Sequence, residues 1–169
     1  MSLPITPPTQ LAATPPEEDG HALRLVAALN PHCVGCGHQN PHGLQLTFRV
    51  NGNGVTAEWV PGKNWESFQG VIHGGVISTV LDEAMSKAII AQGLEAFTAD
   101  LRVRFKQKLR TGETVWARGW MVQHQKRRIT AEASICNGSG DEHAGVFLIP
   151  PRPSGVSSGI EPPASSTVA

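Results

Sequence analysis

A carboxylate at Asp82 stands nine positions beyond the run His73-Gly74-Gly75, where two glycines open what reads as a long helix. Glycine at a helix start lets another molecule approach the backbone closely, and first-turn N–H groups have no intrahelical acceptor. Such donors, aided by the helix dipole, suit a developing oxyanion. An acid that acts on water and an amide that polarises a carbonyl are the parts needed to hydrolyse an activated acyl group. The first catalytic candidates are therefore Asp82 and Gly74.

Distance adds a condition. From Gly74 to Asp82 a helix rises roughly 12 Å at about 1.5 Å per residue. One carbonyl carbon cannot be within reach of both groups on the same chain. Two such helices packed antiparallel would bring Gly74 of one chain near Asp82 of the other, giving a homodimer with two sites that span the subunits.

The elements that must position these groups follow from periodicity. Gly74 to Ala91 reads as a helix at about 100° per residue, with Ile77, Val80, Leu81, Ala84, Ala88 and Ala91 on one broad face. Val76, Met85 and Ile89 carry the apolar surface nearly all the way round, so the helix is buried. Glu83 and Lys87 are one turn apart and pair at its one wet edge. Asp82 shares a narrow stripe with Gly75, Ser78, Thr79 and Ser86, with no basic residue one turn away. Strands are expected at Leu44–Val50, Val55–Val60, Phe97–Phe105, Val115–Val122, Ile129–Cys136 and Ala144–Ile149, the first two joined through Asn51-Gly52-Asn53-Gly54. One long helix among antiparallel strands is an α+β layout.

Composition bounds the rest. The 169 residues fit one domain, expected over residues 22–150, with a short helix at Ala22–Leu29. The proline-rich stretches 1–21 and 151–169 hold little apolar material and are expected to be disordered. Formal net charge is zero, which gives no sign of a nucleic-acid-binding face. No run is long and apolar enough for a membrane span, and the first residues do not read as a secretion signal, so a cytoplasmic protein is expected. The three cysteines make no closed disulfide framework. Cys33-Val34-Gly35-Cys36 is a common zinc element, and His32, His38 or His42 could complete four ligands. With no second such pair, and Cys136 remote, the motif reads as a loop knot of buried thiols, with no metal site assigned.

Taken together, Asn40-Pro41-His42-Gly43-Leu44, then His73-Gly74-Gly75 with Asp82, then Thr98-Ala99-Asp100-Leu101 leading to Phe105-Lys106, resemble the hotdog thioesterase superfamily, especially the branch of the phenylacetic-acid-degradation thioesterases. The resemblance implies a hotdog fold, in which an antiparallel sheet wraps one long central helix. It also implies dimers able to pair into tetramers, and acyl-CoA thioester substrates. Matched by position, Asp82 is the general base or nucleophile, Gly74 the polarising amide, and His73 the residue that orders the turn. Gly75 falls with the substrate-binding residues, and Thr98 matches a position that helps hold water or the carboxylate. Asn64 and Gln69 compete for a side-chain amide contact to the thioester. The proline usual after the basic residue of the fourth strand is Gln107 here.

In an enzyme of this kind, Arg104, Lys106, Lys126, Arg127 and Arg128 are the candidates for holding the CoA phosphates. Trp65 and Phe68 hint at a hydrophobic or aromatic acyl pocket. No cofactor is needed, CoA being part of the substrate. The function expected is an acyl-CoA thioesterase. The alternatives are a hotdog acyl-thioester dehydratase or hydratase, and a non-catalytic acyl-binding dimer.

Overall fold

The structure is a computed structural model that describes residues 30–126 and 128–147, the side chains of Val146 and Phe147 excepted. The expected helix at Ala22–Leu29, the two proline-rich ends, Arg127 and the last two residues of the strand Ala144–Ile149 lie outside the described residues.

Glycine and asparagine at positions 51–54 set the first turn: β1 (Arg49–Asn51) pairs antiparallel with β2 (Gly54–Trp59), Asn51 opposite Gly54. Gly52 takes φ +60°, which this tight connection requires. After a 3-10 turn at Lys63–Trp65, the short strands β3 (Glu66–Phe68) and β4 (Val71–Ile72) form a separate hairpin leading into α1 (Gly74–Ile90). β5 (Val103–Phe105), β6 (Val115–Gln125), β7 (Arg128–Asn137) and β8 (Glu142–Phe147) follow. The main sheet runs β1-β2-β6-β7-β8-β5, and all its pairings are antiparallel.

Helix α1 packs on this sheet, chiefly against β6 and β7. Alternation along β6 turns Val115, Ala117, Gly119 and Met121 inward, and they meet the helix face of Val80, Leu81, Ala84 and Ala88, which is wholly buried. Each leucine-sized side chain so withdrawn contributes about 1.5–3 kcal/mol. Contact is closest at Gly119, where an added Cβ would stand 2.2 Å from the Ala84 carbonyl oxygen. This is the α+β architecture expected from the pattern.

Three sequence expectations meet departures. Only Val103–Phe105 of the stretch Phe97–Phe105 is in the ladder, because β8 gives partners to those three residues alone. The segment before it has no strand partner among the described residues, and Phe97 is fully exposed. Leu44–Val50 buries Leu46 and Phe48 as the alternation requires, yet only Arg49 and Val50 of it join β1. Gln45 has φ +50°, and the N–H groups of Leu44 and Leu46 donate to Val34 and Gly35 carbonyls instead. Finally, Glu83 and Lys87 do pair, at 3.2 Å, but the edge is not wet: their side chains are only 13% and 9% exposed. The cysteine loop covers them.

That loop sits tight on the helix. Burial pushes the Cys36 thiol up to about 12, and its hydrogen bond to Glu83 acts in the same direction. Burial works against the Lys87 ammonium, but its contacts with Cys36 and Glu83 outweigh this and raise its pKa.

Candidate active site

His73 caps α1, its Nδ1 accepting the Gly75 N–H at 2.9 Å. Its own backbone is fixed by β4 and the preceding loop, since His73 N–H donates to the Trp65 carbonyl at 2.8 Å and Ile72 N–H to Leu109 at 2.9 Å. The cap therefore occupies the Gly75 amide. Gly74, the first helical residue, keeps an N–H without an intrahelical acceptor at the positive end of the dipole. The Phe105 ring lies over it, so that a Cβ at Gly74 would stand 3.3 Å from the ring edge.

The acid is positioned at the helix middle. Asp82 is half-buried, and its Oδ1 accepts a 2.6 Å hydrogen bond from Thr98 Oγ1. Ser78 and Thr79, on the same stripe, turn back to the Gly74 and Gly75 carbonyls at 2.9 and 3.0 Å. Their hydroxyls are thus spent on the helix backbone, and the acid stands as the ionisable group of the stripe.

Two hollows open at opposite ends of this stripe. One, of about 710 Å³, is lined by Met85, Ile89, Phe97, Thr98, Arg128 and Ile129, among others. The other, of about 330 Å³, lies at the helix start between Gly74, Ile77, Phe105, Lys106 and Leu109. Within one chain, Thr98 and Asp82 come together, as do His73, Gly74 and Gly75, but the two groups do not.

Of the remaining candidates, Asn64 is exposed in the 3-10 turn and Gln69 is exposed in the turn between β3 and β4. Trp65 packs against the core, whereas Phe68 is 79% exposed. Arg104 projects from the edge strand β5. Lys106 is engaged by the Glu142 carboxylate. Arg128 begins β7 at the rim of the larger hollow. Sequence reasoning placed Phe105 on a strand face without seeing that it would cover Gly74; a contact between residues so far apart in the chain leaves no local signal.

The sequence profile of the thioesterase superfamily matches residues 69–144, from the turn before the cap to β8. Over these residues the chain is similar to the thioesterase superfamily. Among solved structures, a thioesterase superfamily protein superposes with TM-score 0.62 at 22% identity, covering 66% of this chain. The chain spans only 60% of that protein's length. The E. coli PaaI protein from the phenylacetic acid degradation operon gives TM-score 0.62 at 18% identity, over 72% of this chain and 89% of that one. The smu.793 protein of Streptococcus mutans, solved bound to acetyl CoA, gives 0.56 at 19% identity, over 60% of this chain and 84% of that one. No curated protein matches the sequence. At these identities the likeness establishes the hotdog fold. Among its described residues no helix is long and apolar enough to cross a membrane.

Proposed function

We propose that this protein is an acyl-CoA thioesterase that works as a homodimer and hydrolyses its substrate to the free acid and CoA. The observation that carries the reading is the separation of the two half-sites: Asp82, held by Thr98 at 2.6 Å, stands along the same helix from the Gly74 amide, roughly 12 Å away at about 1.5 Å per residue. Each half has its own hollow. A two-fold axis that sets two α1 helices antiparallel joins the larger hollow of one chain to the smaller hollow of the other.

In the joined site the thioester carbonyl oxygen accepts the N–H of Gly74 of the partner subunit. Asp82 takes a proton from water as the water oxygen attacks the carbonyl carbon, or attacks that carbon directly to form an anhydride that water then opens. The tetrahedral oxyanion rests on the amide and the helix dipole. It collapses by breaking the C–S bond, and CoA leaves with a proton. His73 acts through the turn, since its ring is bonded to the Gly75 N–H. Lys126 and Arg128, which line the larger hollow together with Thr98, are the described basic candidates placed to meet phosphate there. Two further points support the reading. The edge strand β5 and the segment bearing Phe97, which has no strand partner among the described residues, offer a surface for a second copy. A relative of the same fold is solved with acetyl CoA.

The test is thiol release from a panel of acyl-CoAs, read with a disulfide dye. Release from at least one acyl class supports the thioesterase. Hydration of an enoyl thioester without thiol release, or binding with neither reaction, overturns it in favour of a hydratase or a binding protein.

A further inference from the structure

Behind α1, away from the Asp82 stripe, three metal-ligating groups from two distant parts of the chain converge. Cys33 Sγ, Cys36 Sγ and a Glu83 carboxylate oxygen all lie within 4.8 Å of one another. We propose that these three residues hold a zinc ion that staples the segment before β1 to the helix.

The ligand chemistry fits a borderline-soft dication: two thiolates and a carboxylate are ordinary zinc ligands. So does the geometry. A tetrahedral zinc with bonds of about 2.3 Å to sulfur and 2.0 Å to oxygen sets those two atoms about 3.5 Å apart. The Cys33 Sγ to Glu83 Oε2 separation is 3.6 Å.

The loop is shaped for this before any ion arrives. Gly35 N–H donates to Cys33 Sγ at 3.3 Å, and Gly37 N–H closes the turn on the Cys33 carbonyl at 2.9 Å. A Cβ at Gly35 would stand 2.5 Å from Glu83 Oε2, so only glycine lets the carboxylate reach the sulfurs.

Charge closes as well. Glu83 gives Oε1 to Lys87 Nζ at 3.2 Å and keeps Oε2 toward the cysteines. Three anionic ligands beside one ammonium are neutralised by one dication, and neutrality is what a partly buried site requires. Each thiol gives its proton to solvent as the metal–sulfur bond forms. Cys33 is only half-buried, which leaves the fourth position to water. The histidines that the motif first suggested are not used: His32, His38 and His42 are exposed and outside the cluster. Cys136 is buried in β7 with its thiol toward Ser134.

The experiment is cobalt titration of the reduced, chelator-stripped full chain, followed by zinc competition and thermal unfolding. The result expected is a thiolate-to-cobalt charge-transfer band that saturates at a single equivalent, its displacement by zinc, and a higher Tm with zinc. C36S and E83Q should each weaken binding roughly tenfold or more, ligand loss being at least as costly as loss of an outer-shell partner. The double variant H32A/H38A should bind as wild type. C33S, altered at the more exposed cysteine, repeats the test should C36S fail to fold by circular dichroism. A folded wild type with no charge-transfer band at stoichiometric cobalt overturns the proposal. So does wild-type affinity in a folded cysteine variant, or loss of binding in H32A/H38A. Thiol release from acyl-CoA is not a readout here, so the outcome is independent of the function proposed above.

Discussion

Thr98 Oγ1 and Asp82 Oδ1 lie 2.6 Å apart, a bond between a buried helix and a segment that has no strand partner among the described residues. The bond orients one carboxylate oxygen of the acid. The orientation of the acid thus depends on a stretch of chain outside the sheet ladder of the described residues.

Removing the acid is the most direct test. D82N keeps the shape of the side chain and its acceptor for Thr98 but abolishes the base. Turnover of acyl-CoA should fall about 10²–10⁴-fold, with the elution volume on size exclusion unchanged. Near-normal kcat in a folded D82N would remove Asp82 from the mechanism.

The hydroxyl of Thr98 should matter less, and in a particular way. T98V preserves bulk and β-branching while deleting the bond, which at about 1–1.5 kcal/mol corresponds to a drop of roughly five- to tenfold in kcat. KM should move little, and T98S should recover most of the rate. Equal kcat in T98V and wild type would reduce the bond to a structural contact.

Subunit sharing can be tested by complementation. G74P deletes the amide donor at a position where proline suits a helix, the first helical residue, preceded by His73 in extended backbone at ψ 132°. G74P and D82N should each be nearly inactive alone. Unfolded together and refolded as an equal mixture, they should recover about a quarter of wild-type activity, half the dimers carrying one intact site. A mixture no more active than its components would show that acid and amide do not meet across subunits.

Gly119→Ala tests the packing. Its Cβ would press on the Ala84 carbonyl from 2.2 Å, so the helix must lift from the sheet. Overpacking of this kind costs about 1–3 kcal/mol, read as a lower Tm. An unchanged Tm would mean that the helix does not rest on β6 as described.

Glu132 supplies a pH test. Burial raises its pKa, opposed in part by the nearby Trp120 indole, whose buried Nε1 closes no hydrogen bond of good geometry. An acid with a raised folded-state pKa favours folding while protonated, and that contribution is lost as pH rises through the folded value. At neutral pH the ionised form is therefore unfavourable. E132Q should raise Tm at pH 7, and the gap should close below the ordinary glutamate range. Equal Tm at both pH values would argue that Glu132 is well solvated.

What could be read from the sequence was what short-range periodicity encodes. The helix over Gly74–Ile90 was legible because apolar residues recur around almost its whole circumference, and the glycine turn marked its start. β6 and β7 were legible from strict alternation. The strand at Phe97–Phe105 shortened to three residues because alternation records which side chains could be buried, while a ladder also needs a neighbour of matching length. The β3–β4 hairpin went unseen, being too short to show a period. The Glu83–Lys87 pair was read correctly as a pair and wrongly as solvated. The loop that covers it lies fifty positions away in the chain, and no local pattern announces that contact.

The close seating of Ala84 on Gly119 also bears on how such a protein could diversify. Where two main chains touch with no side-chain layer between them, their spacing is fixed by peptide dimensions and resists gradual drift. Under the proposed function, changes of acyl preference would then accumulate in the peripheral stretches 62–70 and 94–102, which can vary in size and polarity while the proposed reacting groups keep their places.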